Sequence, residues 1–264
     1  MLLFTLLTRV EAVLAALLIV VGGTVEGYGY GLSLGTRWPY TSSMPRLALA
    51  GDPEVWHRVI ATLIGILSVV ILAVDRSWLA LTGLLLIVFT ALLGMATLHV
   101  LAGRAPSFVQ GLHDVLAYLT LITYLILGFS DANPLPSLGG YILHTVVLHS
   151  FFLVIFLGGM VTGQRGFKRA IGFFVRPKTS AQWVWLLHGI AVLILLLTFS
   201  YYADVYTFSL IVALLQVAVG VVAYQSVNQS AARPGAVVPL HQLLSVLIVV
   251  GVFFTVHFSI PLLG

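Results

Sequence analysis

The sequence contains no cysteine and very little charge. Without cysteine the chain cannot form disulfides, thiolate metal sites or thiol intermediates, so any metal must be held by histidine or carboxylate. Only 8% of its 264 residues are charged and 60% are hydrophobic, whereas about half of a soluble domain is apolar. We therefore attribute the net charge of +4 to basic loops and expect no nucleic-acid partner.

Apolar runs long enough to cross a membrane recur along the whole chain. About 20 apolar residues in a helix span the hydrocarbon core, so the sequence predicts an all-α integral membrane protein with eight transmembrane helices. The first run is longer than the core of a signal peptide and precedes no cleavage site, so we expect it to be the first helix. The expected spans are about 6–28, 54–74, 78–99, 108–129, 141–162, 182–202, 204–225 and 237–260.

Histidines open every second predicted helix, in a pattern that indicates an internal duplication. They are His57, His113, His188 and His241. His188 follows His57 by 131 residues, and His241 follows His113 by 128, so one shift superposes both pairs. Gly94 and Gly220, about twenty residues before the next histidine, repeat in the same way. We expect two pseudo-repeated four-helix bundles, residues 1–135 and 136–264, divided by the turn at 130–140.

These four histidines predict a heme site in each half. Alternate helices of an antiparallel bundle begin at the same membrane face, so all four imidazoles are expected at one depth. Two imidazoles from two helices can hold a heme iron from both sides. The alternatives are interfacial histidines, or a zinc site made by His57, His113 and Glu54. Apolar surroundings and the lack of a third ligand in the second half favour a porphyrin.

A glutamate and an arginine lie on either side of the first of these histidines, in the stretch "EVWHR". Glu54 precedes His57 by three residues and is expected on roughly the same helix face. One interpretation is an i,i+4 salt bridge between Glu54 and Arg58 at the helix start. The other is a functional acid, because the equivalent positions of the second half are Trp185 and Gly189. Only the first half would then be reactive.

The other histidines are interpreted as interfacial or core residues. His99 ends the third predicted helix on the same face as the four. The remaining three are expected toward the opposite face: His144, His149 and His257.

Three stretches resemble the heme A synthase family, and the resemblance covers essentially the full chain. They read "IVVGGTVEGYGYGLSLGTRWPY", "EVWHR" and "LLGMATLHVLAGRAPSFVQGLHDVLAYL". The resemblance implies oxidation of the C8 methyl group of heme O, the substrate, to the formyl group of heme A. It further implies that His57 and His113 hold the substrate heme, and that His188 and His241 hold a heme B. Heme O synthase and terminal oxidase assembly become candidate partners, beside membrane lipid.

The motif suggests catalytic roles for Glu54 and Arg58. Oxidising a methyl group releases electrons and protons, and a nearby carboxylate can stabilise positive charge or accept protons. Arg58 is expected either to pair with a heme propionate or to hold Glu54 ionised. The electron acceptor stays open, and water as the oxygen source is expected from the resemblance alone.

Two departures from the family pattern stand out. Many bacterial members carry a cysteine pair around the Trp-Pro element, where this chain has Leu34 and Thr41. An arginine that commonly follows the histidine of the sixth helix is replaced by Gly189.

Orientation in the cell membrane and two rival functions stay open at the sequence level. The resemblance puts the histidine face outside, whereas most basic residues lie in loops of that face and the positive-inside rule favours the reverse. One rival is a di-heme cytochrome b that transfers electrons across the membrane. It would need ligands at the far face. The other rival is a proton-coupled transporter in which Glu54 and the histidines relay protons.

Overall fold

The computed structural model describes residues 2–129 and 149–259. Across these two ranges the regular structure is helical, with no strand, which confirms the expected all-α class. The helices are α1 (Leu2–Gly27), α2 (Met44–Leu49), α3 (Pro53–Val74), α4 (Trp78–Leu101), α5 (Phe108–Phe129), α6 (His149–Arg165), α7 (Ser180–Tyr201), α8 (Ala203–Gln229) and α9 (Val237–Ser259).

Seven of these helices are long and apolar enough to cross a membrane, which is compatible with a multi-pass membrane protein. They are α1, α3, α4, α5, α7, α8 and α9. The expected fifth span, 141–162, overlaps α6 (His149–Arg165), and residues 141–148 lie outside the described residues. The expected boundary between the halves and His144 lie outside the described residues.

Side-chain caps fix where the helices that carry the first histidine of each half begin. Asp52 accepts hydrogen bonds from the backbone N–H groups of Glu54 (2.9 Å) and Val55 (3.4 Å) at the start of α3. Thr179 and Gln182 form a reciprocal capping box at the start of α7. Such caps satisfy N–H groups that the first helical turn leaves unpaired. The depth of His57 and His188 is thereby set within the first turns of their helices.

The helices form two sets that meet at the centre of the molecule. In the first set α1 packs against α3 and α5, and α4 packs against both of these. In the second set α6 packs against α7, α7 against α8, and α8 against α9. The sets join where α1 contacts α9 and where α5 contacts α6, with a smaller contact between α5 and α9.

The four histidine-bearing helices begin at one face. The N–H of Gly235, just before α9, donates to the carbonyl of Gly27 at the end of α1 (2.8 Å). At the same face the Gln164 side chain near the end of α6 donates to Ser107 just before α5 (2.9 Å). The ends of α1, α4, α6 and α8 therefore lie beside the starts of α3, α5, α7 and α9. We call this the histidine face.

Candidate functional site

Each of the four histidines lies against a glycine of the preceding long helix. The pairs are Gly22 with His57, Gly94 with His113, Gly158 with His188, and Gly220 with His241. A β-carbon on any of these glycines would lie 3.2 to 3.4 Å from the imidazole Cε1 atom. That separation is tighter than an ordinary van der Waals contact, so the absent side chain is what lets the ring approach the helix.

The glycine contact brings the ring Nδ1 atom to a backbone carbonyl. His113 Nδ1 donates to the carbonyl of Thr90 (3.0 Å), four residues before Gly94. His188 Nδ1 donates to the carbonyl of Val154 (3.0 Å), four residues before Gly158. A carbonyl partner holds the proton on Nδ1 and leaves Nε2 with its lone pair free to bind a metal.

The other two histidines have the same placement without the hydrogen bond at Nδ1. His57 faces the backbone of Leu18, four residues before Gly22, and His241 faces the backbone of Gln216, four residues before Gly220. The Nδ1 atoms are buried in both cases, without meeting the geometric limits of a hydrogen bond. All four rings thus turn Nδ1 toward a helix backbone.

The four imidazoles form two interacting pairs. His57 interacts electrostatically with His113, and His241 with His188. Each of the four residues is half-buried, and no described residue accepts or donates a hydrogen bond at their Nε2 atoms. The structure therefore brings together both histidine pairs predicted from the sequence.

Glu54 and Arg58 form a buried ion pair at the start of α3. Arg58 Nη2 donates to Glu54 Oε1 (2.7 Å), and the two residues are 9% and 4% exposed. Glu54 Oε2 accepts hydrogen bonds from the backbone N–H (2.7 Å) and the hydroxyl (2.9 Å) of Ser33. The i,i+4 salt bridge expected from the sequence is confirmed, and it is buried rather than solvated.

Arg58 connects this ion pair to the first loop and to the first histidine. Its Nη1 atom donates to the carbonyls of Arg37 (2.7 Å) and Pro39 (3.2 Å), on either side of Trp38. The guanidinium also interacts electrostatically with His57. Both terminal nitrogens of Arg58 are therefore committed within the protein, which favours pairing with Glu54 over pairing with a propionate.

A small apolar cluster holds the first loop at Leu34, one of the two positions where the family resemblance would lead one to expect a cysteine. Leu34 is buried against Met44 of α2 and Val55 of α3. Leu34 also directly follows Ser33, which binds Glu54. Hydrophobic contact and a charge-assisted hydrogen bond thus hold the loop on α3 without a covalent link.

Sequence reasoning missed a second buried ion pair, which joins the two sets of helices. Arg165 of α6 donates to Glu26 of α1 (2.7 Å), and both residues are buried. Thr162 donates to the same carboxylate, and Arg165 also donates to the carbonyl of Ala231 (3.0 Å). Glu26 lies at the end of a predicted span, where an acid is costly, and this was the signal that could have identified it.

A polar contact links the helices that carry the second histidine of each pair. The Tyr118 hydroxyl of α5 lies 2.6 Å from the Ser245 hydroxyl of α9, and it donates to Gln242 Oε1 (3.3 Å). Tyr118 follows His113 by five residues, and Gln242 directly follows His241. The two predicted metal sites are therefore joined through neighbouring side chains as well as through helix packing.

The remaining histidines take no part in this arrangement as far as the structure describes them. His99 is exposed at the end of α4, in agreement with an interfacial position. His149 and His257 lie within α6 and α9, but their side chains are outside the described residues, as is the whole of His144.

No protein-family model matches the chain, and neither a curated protein nor a solved structure is detectably similar to it. The chemical interpretation of the histidine pairs therefore depends on their geometry and on the motif resemblance. Among the described residues no group of three or more histidine, aspartate or glutamate side chains could hold a metal ion. A zinc site needs at least three protein ligands, whereas a heme iron needs two axial ones.

Proposed function

We propose that this protein is a membrane-bound heme A synthase, which oxidises the C8 methyl group of heme O to a formyl group. The observation that carries the proposal is the fourfold glycine–imidazole contact. It presents the histidines in two pairs, each ring with Nδ1 turned to a helix backbone and Nε2 free. Bis-histidine heme ligation requires this arrangement.

The residues of the second half fit a resident heme B, and those of the first half fit the substrate heme. His188 and His241 would hold heme B, which supplies a one-electron redox centre when bound. His57 and His113 would hold heme O as substrate. The apolar helices around both pairs suit the faces of a porphyrin, and the basic residues of the histidine face suit its propionates.

The repeated contacts also support an internal duplication with eight membrane spans. In each half the first and third long helices carry the contacting glycine, and the second and fourth carry the histidine. These helices are α1, α3, α4 and α5 in the first half and α6, α7, α8 and α9 in the second. The contact of α1 with α9 then corresponds to the contact of α6 with α5, as a pseudo-twofold relation requires. We therefore count α6 as the fifth span and place the boundary between the halves near residue 135.

Glu54 distinguishes the reactive half in this proposal. Its carboxylate is held by Arg58 and Ser33, next to the helix turn that carries His57. Hydrogen bonds from a cation and from a backbone N–H fix the position of this carboxylate. An ionised Glu54 can stabilise positive charge that develops on the oxidised carbon, or accept a proton released there.

The second half has aromatic packing where the first has the ion pair. Trp185, which corresponds to Glu54, stacks on Tyr224 with ring centroids 4.3 Å apart and contacts Phe174 edge-on. Gly189, which corresponds to Arg58, faces open space. This half offers a histidine pair without an acid, as suits a heme that stays in place while the substrate is exchanged.

Heme extraction with an absorption spectrum of the purified protein tests the proposal. The protein should be produced in cells that make heme O, with the solubilised membranes of cells lacking the gene as the blank. We expect a low-spin b-type spectrum, with heme O or heme A extracted beside heme B. Heme B alone would indicate the electron-transferring cytochrome, and the absence of heme would reject both and favour the transporter.

A further inference from the structure

A carboxyl group lies in the interior of the first helix set, far from the candidate site. Glu11 of α1 is 0% exposed, and neither of its oxygens has a hydrogen-bond partner in the part of the chain that the structure describes. A buried polar group without a partner is rare in native structures, because the lost hydration is not replaced. An ionisable group within a membrane span is a functional candidate for the same reason.

The other helices of the set present two hydroxyl groups and a glycine at the depth of Glu11. The Tyr124 hydroxyl of α5 interacts with Glu11 and faces Ser68 of α3. Among the described residues it too has no hydrogen-bond partner of standard geometry, whereas the Ser68 hydroxyl donates to the Gly65 carbonyl (2.9 Å). Tyr124 and Ser68 are both fully buried. A β-carbon on Gly83 of α4 would lie 2.8 Å from the Tyr124 hydroxyl, so this glycine makes room for the phenol.

This layer has a fixed position relative to the histidine site. Glu11 and Gly83 lie eleven residues before the glycines that contact the histidines, Gly22 in α1 and Gly94 in α4. Ser68 and Tyr124 lie eleven residues after the histidines of their own helices, His57 in α3 and His113 in α5. At 1.5 Å per residue the layer lies about 16 Å below the imidazoles, toward the opposite face. All four helices of the first set therefore contribute to one polar layer in the membrane interior.

The second helix set has no acid at the corresponding positions that the structure describes. Phe199, Ser209 and Val252 occupy them, all buried. Ser209 donates to the carbonyl of Ile248 (3.4 Å) and so has a partner within its own set of helices. The buried acid is thus confined to the half that is proposed to bind substrate, as Glu54 is.

The surroundings of Glu11 require that it carries a proton at rest. An unpaired carboxylate in a hydrocarbon interior is costly, and the group becomes neutral instead. The nearest cation along α1 is Arg9, whose guanidinium donates to the Gly128 carbonyl (2.8 Å) and lies over the Phe129 ring. Tyr124 is the titratable group that faces Glu11 from the other helices, and it is neutral as a phenol.

We propose that Glu11 is a proton-exchange site, which releases one proton when the heme iron of the first half gives one electron to an external one-electron acceptor, and regains it when the iron takes up an electron. This inference depends on the proposed function, because it requires a heme at His57 and His113. When Glu11 loses its proton, the Tyr124 hydroxyl can donate to the carboxylate, and the Ser68 hydroxyl can turn from the Gly65 carbonyl to donate to Tyr124. The released proton leaves to water at the opposite face, toward which the buried hydroxyl of Thr8 lies one turn away and donates to carbonyls of its own helix.

The Tyr124 hydroxyl, which has no hydrogen-bond partner of standard geometry among the described residues, is the feature that a merely structural acid would not need. A neutral carboxylic acid is satisfied by one donor and one acceptor, whereas a carboxylate needs several donors. Tyr124 supplies one such donor, and Ser68, whose hydroxyl donates to the Gly65 carbonyl (2.9 Å), faces Tyr124 from a second helix. The Tyr124 hydroxyl can accept from the neutral acid or donate to the carboxylate, and a change of one charge on the iron can select between these two states.

Infrared difference spectroscopy on the purified heme-bound protein tests the proposal. The carbonyl-stretch band of a protonated carboxylic acid should be present in the wild type, absent in Glu11→Gln, and shifted to lower frequency in D₂O. Electrochemical oxidation of the heme should remove this band, and reduction should restore it. Ser209→Ala, at the same depth in the second set, is the matched control and should leave the band unchanged.

Tyr124→Phe is a second variant that keeps the ring and deletes only the hydroxyl. It should shift the carboxylic acid band without removing it, so the test does not depend on the folding of Glu11→Gln. A wild-type band that does not respond to iron oxidation, or no band that depends on Glu11, would overturn the inference while leaving heme binding intact. If no heme binds, the proposed function and the redox coupling fail together, and exchange in D₂O still tests the proton site.

Discussion

At the residue scale, the missing side chains of four glycines matter as much as the four histidines. Each glycine lets an imidazole approach the backbone of the residue four positions earlier, and for His113 and His188 a hydrogen bond to that carbonyl fixes the ring and its tautomer. The sequence predicts the histidines from their spacing. It shows Gly94 and Gly220 as a repeat, but Gly22 and Gly158 stand next to other glycines, and nothing in one sequence says which of them faces a ring.

Gly220→Ala should weaken heme binding in the second half. The added methyl group would lie 3.2 Å from Cε1 of His241, so either the ring or α8 must move. Overpacking of this kind costs about 1–3 kcal/mol. We expect a lower heme B content and an altered low-spin spectrum at equal protein level. Gly189→Ala, whose methyl group would meet nothing within 4 Å, is the control and should keep the wild-type spectrum.

Glu54→Gln should stop the chemistry while both hemes stay bound. The substitution keeps the shape of the side chain and removes its charge, so turnover should fall by about 10²-fold or more, and heme O should accumulate. The heme O to heme A ratio in extracts of expressing cells measures this. A wild-type ratio at equal protein level would contradict the catalytic role.

The buried ion pair requires a control for stability in that experiment. Removing one partner of a buried pair costs about 3–5 kcal/mol, because the other charge is left without its partner. The double variant Glu54→Gln with Arg58→Met removes both charges and should recover part of the stability, since the carbonyls of Arg37 and Pro39 still lose their donor. If Glu54 acts in catalysis, this double variant stays inactive. If the single variant is inactive only because the buried Arg58 charge has lost its partner, the double variant regains activity in step with stability.

At the scale of helices, the limits of the spans follow closely from the sequence. The expected spans 54–74 and 108–129 correspond to α3 (Pro53–Val74) and α5 (Phe108–Phe129). Proline and capping residues stop or start these runs within one or two positions. The short helix α2 was not predicted, because its six residues lie in a polar loop and it is held by contacts of Met44 with Leu34 and Val55.

The neighbours of each helix could not be read from hydropathy, and neither could the partners of buried charges. Apolar runs show which residues lie in the membrane, but not which face of a helix meets another. Glu11 and Glu26 lie within one predicted span, yet one has no partner and the other pairs with Arg165, which follows it by 139 residues. Only the packing of α1 against its neighbours separates these two cases.

Glu26→Gln should destabilise the contact between the two helix sets. Arg165 would stay buried at 2% exposure without its counter-ion, and the expected loss is about 3–5 kcal/mol. Thermal unfolding in detergent, followed by the heme spectrum, measures it. The double variant Glu26→Gln with Arg165→Met should recover part of this loss. Equal unfolding temperatures for wild type and the single variant would show that the bridge does not join the sets in solution.

At the scale of the whole molecule, membrane orientation can be measured because the chain has no cysteine. Val175, fully exposed in the loop between α6 and α7, lies on the histidine face. Arg76 is exposed in the loop between α3 and α4 on the opposite face. With the histidine face outside, an impermeant maleimide should label Val175→Cys in intact cells, and Arg76→Cys only after permeabilisation. The reverse pattern would support the orientation that the basic loops favour.

The two histidine pairs should behave as independent heme sites in one molecule. Each pair is assembled from helices of a single set, and the links between the sets lie outside the pairs themselves: Glu26 with Arg165, and Tyr118 with Ser245 and Gln242. Substitutions at distant sites without shared partners usually add. His241→Ala should therefore remove heme B and leave heme O bound in the first half, while His113→Ala should do the opposite.

Heme extraction from both variants, matched for protein, measures this independence. His241→Ala should retain unconverted heme O, because the first half keeps its ligands but has lost the neighbouring redox centre. His99→Ala is the control, since this exposed histidine at the same face should change neither heme. Loss of both hemes from either single variant would contradict two separate sites. It would indicate one heme held between the sets, with a ligand from each.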